Sequence, residues 1–387
     1  MPLAGRRLWF VGIGGAGLSS YAFLARAWGA EVGGWDRVQT PYLRQLEGVH
    51  VELAPEPVVP EGWEVVVSSA YPSVPGTPRA AFLAELVSLR RAIVVAGAHG
   101  KTTTTGMIAF VLAELGLDPA WLVGGDVPQL GGNAGAGEGW LVVEGDESDR
   151  TVERLRPEVA VVTNVELDHH ATFSTAAEVE AMFERWLSEV PQVVRGRTLE
   201  PVAFELAVPG EHNRRNAAAA LAALELAGVS RADAEPVLAR FRGAGRRFEL
   251  VGERGGITVV DDYAHHPSEI AATVAAARDR GDGRVLVLFQ PHLYSRTQHL
   301  AHELGAALSA ADAVCVTEIY RAREEPVPGV DGRLVLGALR PGLRAGWAPT
   351  VEDGARIVAS WARPGDLVLT VGAGDVERAG PLVLEAL

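Results

Sequence analysis

Val95-Ala96-Gly97-Ala98-His99-Gly100-Lys101-Thr102-Thr103-Thr104-Thr105 holds the only lysine among the chain's 35 basic residues. Everywhere else positive charge is supplied by Arg. A phosphate-binding loop is one place where that exchange fails, because a compact ammonium fits beside a few backbone amides and a planar guanidinium does not. The stretch lacks the first glycine of the strict Walker pattern, since Val95 stands there, and reads as the shorter G-x-x-G-K-T. An apolar run, Ala92-Ile-Val-Val-Ala96, leads into it, and a helix is expected to begin within the threonines. Strand, glycine loop and helix together predict a parallel sheet like that of P-loop ATPases, with Thr102 placed to ligate Mg²⁺ and the helix's positive end facing phosphates. A threonine-rich helix cap with no ligand is the bland alternative, and it leaves the lysine unexplained.

Outward from this loop, short apolar runs alternate with helix-period segments, the pattern of α/β layers. Three blocks separate, with boundaries at 1–90, 91–242 and 243–387. The fold class expected is α/β in three domains: an N-terminal Rossmann-like domain, a central P-loop ATPase-like parallel sheet and a C-terminal Rossmann-like domain. Strands are expected at 8–11, 31–35, 64–69, 92–96, 140–144, 159–163, 257–261, 284–289, 313–317 and 366–371. Helices are expected near 18–28, 176–188, 213–227 and 231–241. Residues 191–210 resist assignment, being too short for a further strand-helix-strand unit.

With 387 residues, 48% of them hydrophobic, the chain can bury two or three cores. A formal net charge of -14 argues against nucleic acid or an anionic membrane as partner, so bound phosphates must be met by local loops, Arg and metal. The first ten residues turn at once into a glycine loop and lack the apolar core of a signal peptide, and no stretch is apolar enough to span a bilayer. A single cysteine, Cys315, in Ala313-Val-Cys-Val-Thr317, excludes an internal disulfide and reads as a small apolar strand residue. A cytoplasmic protein without membrane insertion is the expectation.

Gly12-Ile-Gly-Gly-Ala-Gly17 satisfies G-x-G-x-x-G after a strand and before a helix, with Asp36 ending the next strand. Such a turn brings a pyrophosphate to backbone amides at Gly14, Gly15, Ala16 and Gly17, and the acid accepts from a ribose hydroxyl. Alone it does not separate NAD from another nucleotide diphosphate. Glu144 ends an apolar strand and opens Gly145-Asp-Glu-Ser-Asp149; in isolation such acids form a solvated loop. Asp168-His169-His170 follows another strand. Ligands gather at the carboxyl ends of strands in open α/β sheets, so Glu144 and one of these histidines are candidates for the metal. In the last block Arg246-Arg247, Asp261-Asp-Tyr-Ala-His-His-Pro267 and Gln290-Pro-His-Leu-Tyr-Ser-Arg296 gather groups suited to clamping phosphoryl or carboxylate oxygens.

Taken together, these segments resemble the Mur ligase family. The likeness rests on the stretches already quoted and on Gly210-Glu-His-Asn-Arg-Arg-Asn216, Gly245-Arg-Arg-Phe248, Tyr320-Arg-Ala-Arg-Glu-Glu-Pro326 and Gly372-Ala-Gly-Asp375, in family order along nearly the whole chain. The resemblance implies an ATP- and Mg²⁺-dependent ligase of peptidoglycan synthesis. Its alanine-adding branch phosphorylates the carboxylate of UDP-N-acetylmuramate, and the amine of L-alanine attacks the acyl phosphate. Carried over by position, Gly97, Ala98, His99, Gly100, Lys101, Thr102 and Thr103 cradle the nucleotide. Thr102, Glu144 and His169 match metal ligands, and Asn213 and Asn216 match adenine-side contacts. Arg247 matches a phosphate-reaching arginine and Asp262 a ribose contact. His265, His266 and Arg296 lie where the amino acid and acyl phosphate are held, and the N-terminal turn with Asp36, Ser68 and Ser69 would hold the UDP moiety. Lys101, Glu144, His169 and Arg247 are the catalytic candidates.

Departures from the pattern are Ala98 where Thr is common, Gly145 where Ala is common, Leu293 where Arg is common, and a stretch between Trp186 and Gly210 much shorter than usual. Three alternatives remain at this stage. A recycling ligase would add a preformed tripeptide to the same sugar nucleotide. An NAD-dependent dehydrogenase would use the first glycine turn but leave the lysine idle, and a nucleotide-binding protein would lack turnover.

Overall fold

A computed structural model describes residues 1–168, 172–322 and 324–387. The expected His169 ligand lies outside the described residues. Three sheets form, one in each expected block. In the first, β1 (Arg7–Val11), β2 (Glu31–Asp36), β3 (His50–Leu53), β4 (Glu64–Val67) and β5 (Thr77–Pro78) run parallel in the order β3-β2-β1-β4-β5. The chain leaves β1 to one side and returns on the other, which makes the end of β1 a topological switch point. The glycine turn sits there.

The second sheet contains β6 (Ala92–Ala96), β7 (Ala120–Leu122), β8 (Ala134–Gly135), β9 (Leu141–Glu144), β10 (Val159–Val162) and β11 (Gln192–Arg195), in the order β11-β10-β6-β9-β7-β8. All pairs are parallel except β7 with β8. Every residue of β6 is buried, as a central strand covered on both faces requires. The helix Lys101–Glu114 that follows is buried from Thr102 to Leu112, so it forms part of the core rather than an amphipathic wall. Residues 191–210 contribute the edge strand β11 and one 3₁₀ turn, Gly196–Thr198; the strand and not a full unit is what their length allows.

The third sheet places β12 (Glu249–Arg254), β13 (Ile257–Asp262), β14 (Val285–Phe289), β15 (Ala313–Thr317), β16 (Arg344–Ala348) and β17 (Leu367–Val371) in the order β12-β13-β17-β14-β15-β16, with only β12 antiparallel. Strands β14, β15 and β17 are buried throughout. Cys315 lies on β15 with its thiol pushed up to about 12 by burial, an inert core residue as expected. Helices are stopped at their starts by side chains: Thr175, Ser230 and Thr350 each accept a backbone N–H from the first turn, worth about 1 kcal/mol apiece.

By contact density the chain forms two compact units. One is Met1–Glu166, Thr175–Glu205 and Arg215–Phe241, with the first two sheets; the other is Leu167–Ser174, Leu206–Arg214 and Arg242–Leu387, with the third. No helix among the described residues is long and apolar enough to cross a membrane.

Candidate active site

In the first unit the loop 97–100 leaves β6 between β9 and β10, the switch point of the central sheet. Its shape depends on two glycines. Gly97 has φ +130° and any Cβ there would stand 2.4 Å from Thr163 Oγ1; Gly100 has φ +80° and a Cβ would meet Asn216 Oδ1 at 2.4 Å. The contact puts Asn216, expected as an adenine-side residue, against the loop. Between them the backbone is bracketed: Asn164 Oδ1 accepts from His99 N at 3.0 Å, while Asn164 Nδ2 donates to His99 O at 2.8 Å and Thr163 Oγ1 to the same oxygen at 2.5 Å. A clamped loop costs little reorganisation when a ligand arrives.

Lys101 starts the helix and folds back over the loop. Its Nζ donates to Gly97 O at 2.6 Å, to Ala98 O at 3.2 Å, and to Glu147 Oε1 and Oε2 at 3.1 and 3.0 Å. Burial works against the charge, yet Glu147, Glu144 and Asp146 outweigh it and hold the ammonium above its ordinary pKa. Thr102 Oγ1 donates to Glu144 Oε1 at 3.2 Å, and Glu144 Oε2 accepts from Gly124 N at 2.8 Å. A hydroxyl and a carboxylate converge there, hard oxygen donors of the kind Mg²⁺ takes, so the residues present fit that ion.

The acids after Glu144 are not a solvated loop. Arg79, the first residue of the helix Arg79–Ser88, donates from Nη2 to Asp149 Oδ2 at 2.8 Å and to Asp146 Oδ2 at 3.3 Å. The first and central sheets are thereby bracketed within one unit. Neither Arg79 nor Glu147 was legible as a site residue: nothing in the spacing pairs 79 with 146 and 149, and Glu147 has the look of any acid in a turn.

At the first glycine turn the helix Ala16–Ala27 begins at Gly15 with no side-chain cap and no acid in its first turn, leaving its N–H groups open to an anion. Asp36 is buried and accepts from Gly14 N and Arg37 N, both at 2.7 Å. It therefore shapes the turn itself. Ser68 lies beside Gly12, and Ser69 is exposed in the following turn.

The second unit gathers the remaining candidates at the carboxyl ends of β13 and β14. Arg246 and Phe248 hold left-handed backbone, φ +56° and +53°, costly for residues with side chains. Arg246 meets this by donating to Asp261 Oδ2 and Gly372 O, each at 2.8 Å. Arg247, between them, lies over the Tyr263 ring and donates to Glu269 Oε1 at 3.4 Å. Asp262 accepts from Phe248 N and Ala264 N, each at 2.8 Å, and burial pushes its carboxyl up to about 6 against the pull of Arg247. Arg296 is buried with Nε donating to Asp168 Oδ1 at 2.8 Å and Nη1 2.9 Å from His292 Nδ1, and His292 stacks on Tyr320. His265 is neutral at pH 7, its pKa lowered to about 4 mainly by burial. Its Nδ1 lies 3.0 Å from Tyr263 O, so the neutral ring donates there and leaves Nε2 as an acceptor. His266 instead accepts from Ser268 N and caps the helix Pro267–Arg278, a structural duty. Asn213 donates to Pro209 O at 2.7 Å. Sequence reasoning passed over Asp168 for its histidine neighbours; its burial is set by Arg296, 128 residues further on.

The neutral histidines give this unit a pH signature. His212 and His265 have pKa values lowered from 6.5 to about 4, chiefly by burial. The unfolded chain takes up their protons first, so their stabilising contribution is complete above pH 6.5 and is lost as pH falls toward 4. Asp262, raised from 3.8 to about 6, has the opposite sign and weakens the fold as pH rises through that window. His212→Gln is expected to reduce the loss of stability on acidification, read as the urea midpoint at several pH values; an unchanged pH slope would refute the assignment.

A clamped glycine loop with a half-buried lysine, and a hydroxyl–carboxylate pair at its mouth on a parallel sheet, define a nucleotide-dependent α/β enzyme. The description of the Mur ligase middle domain matches residues 95–195, and that of the Mur ligase glutamate ligase domain matches residues 246–374. The UDP-N-acetylmuramate–L-alanine ligase of Streptomyces coelicolor is 40% identical over 457 aligned residues, covering 100% of this chain and 99% of that one. That of Rubrobacter xylanophilus is 38% identical, covering 97% of this chain and 99% of its own. The alignment of 457 positions against 387 residues makes the Streptomyces protein longer by several tens of residues, in keeping with a shortened chain here. The solved UDP-N-acetylmuramate–alanine ligase of Thermotoga maritima superposes with a TM-score of 0.79 at 26% identity, covering 98% of each chain. A murein peptide ligase of Psychrobacter arcticus shares the fold, with a TM-score of 0.66 at 24% identity, covering 99% of this chain and 98% of that one. The chain belongs to the Mur ligase family.

Proposed function

We propose that this chain joins L-alanine to UDP-N-acetylmuramate, forming an amide at the expense of ATP through an acyl phosphate. The observation that carries it is the phosphate loop, with Lys101 Nζ saturated by oxygen ligands and Thr102 beside Glu144, in a chain whose relatives over its full length carry that activity in their names. Lys101 neutralises the β/γ-phosphates while Gly97 to Thr103 enclose them, with Asn216 on the adenine side. Mg²⁺, held by Thr102 and Glu144 and assigned also to His169, would supply charge neutralisation when bound. The amides of Ala16 and Gly17 at the helix start receive the sugar nucleotide's diphosphate, with Asp36 and Ser68 shaping the turn.

In the C-terminal block Arg247 and Asp262 are the nucleotide-directed groups, Asn213 lies near the adenine, and Arg296 and His265 serve the amino acid. His265, unprotonated at pH 7, accepts a hydrogen bond from the incoming amine rather than storing a proton. Three domains, divided at 90 and 242, and a cytoplasmic setting with ATP and nucleotide-linked sugar at hand belong to the same reading.

The test is phosphate release from ATP with Mg²⁺ and UDP-N-acetylmuramate, comparing L-alanine, a tripeptide and no acceptor, with product mass read in parallel. Release and a mass gain that require L-alanine are expected. A gain only with the tripeptide would move the protein to the recycling branch, and folded protein that binds ATP without turnover would make it a nucleotide-binding protein.

A further inference from the structure

Four acids stand between Glu144 and Asp149, and the structure divides them among three sets of partners. Glu144 takes Thr102 Oγ1 and Gly124 N. Asp146 and Asp149 share Arg79, and Asp146 also accepts from Ser148 N at 2.8 Å. Glu147 alone reaches the lysine, with both carboxylate oxygens at 3.0 and 3.1 Å and only 3% of its side chain exposed. An ammonium has three N–H donors, and here they are taken by two loop carbonyls and this carboxylate. All three donors of the lysine therefore find oxygens within the protein itself.

We propose that Glu147 is a positioning residue that competes with the nucleotide for Lys101, holding the ammonium aimed over the loop in the resting enzyme and surrendering it to the phosphates. The inference rests on the reading of 97–103 as the ATP loop. Its physical content is a population argument: a nucleotide meets a lysine whose free form is only a fraction of the total, so its apparent affinity is lowered by that fraction. A charge-assisted contact to a carboxylate is roughly twice as strong as one to a neutral amide oxygen, so removing the charge raises the free fraction. The same competition hastens departure of the product diphosphate, since Glu147 reclaims the ammonium. A carboxylate with only a structural task would produce none of this.

Calorimetric titration of Mg·ADP and a non-hydrolysable Mg·ATP analogue decides the matter. Glu147→Gln is expected to bind both about ten-fold more tightly than the native protein, with affinity for UDP-N-acetylmuramate unchanged and the ligand-free protein melting at lower temperature. Glu147→Asp keeps the charge but draws it back from Nζ, and is expected to tighten binding by a smaller factor. Should Glu147→Gln fail to fold, Glu147→Asp carries the test alone. Equal or weaker nucleotide binding in the folded variants overturns the proposal. Native protein that binds neither nucleotide overturns the ATP-loop reading beneath it, a result distinct from native binding that the variants do not improve.

Discussion

Lys101→Ala is expected to lower ATP-dependent ligation by roughly 10³-fold or more, while affinity for UDP-N-acetylmuramate stays near the native value. The size follows from what the ammonium faces. It is the loop's only side-chain cation, on a helix whose first turn carries no acid, in a pocket already rich in carboxylates. Without it the phosphates' developing charge meets Glu147 stripped of its counter-ion, beside Glu144 and an Asp146 offset only by Arg79. Selectivity follows from the second sheet carrying the lysine while the first carries the glycine turn. The variant should also melt lower, because Glu147 keeps its burial and loses its counter-ion. Lys101→Arg should restore part of the stability and little of the activity, since a fork cannot take the place of a point charge over a four-residue loop. Single-turnover phosphate release and calorimetry measure both, and a variant retaining a tenth of native turnover would remove this loop from the chemistry.

Legibility in the sequence followed burial and locality. Strands covered on both faces were read to within a few residues, because an apolar run bounded by turns has few other uses: β6, β15 and the runs ending at Glu144 and Val371 are of this kind. Edge strands were missed. In β3, β12 and β16 exposed or half-exposed residues predominate, and their sequences carry no apolar run to find. The strand β11 in the short link escaped for the same reason, although Val193 and Val194 pair with Ala160 and Val161 along its length.

The candidate site divides along a similar line. Residues whose task is set by neighbours in the chain, such as the glycines of both loops, Lys101 and Thr102, declare themselves by spacing. Residues whose task is set by distant partners do not. Glu147, Arg79 and Asp168 became visible only when the fold brought to them a charge from 46, 67 and 128 positions away. The histidine pair 265–266 shows where local pattern stops: two identical neighbours, one an acceptor with a neutral ring, the other a helix cap.

Asp168→Ala is expected to destabilise the C-terminal unit by about 3–5 kcal/mol, the usual cost of leaving one partner of a buried ion pair alone. The pair is deeply enclosed, with 3% of the Asp168 side chain and 4% of the Arg296 side chain exposed. Segment Leu167–Ser174 packs with that unit although it follows β10 of the central sheet, and Arg296 is the group that clips it there. Arg296 also fixes His292, which stacks on Tyr320, so the loss should spread to the residues proposed for the amino acid. A rise in KM for L-alanine is therefore expected together with the lower urea midpoint. The double variant Asp168→Ala with Arg296→Met removes both charges and should recover much of the stability without recovering the KM, since an apolar pair can replace a buried ion pair while a methionine cannot hold an imidazole. Stability and KM returning together would mean that the pair only fills space, and a drop below about 1 kcal/mol in the single variant would mean that water reaches the aspartate.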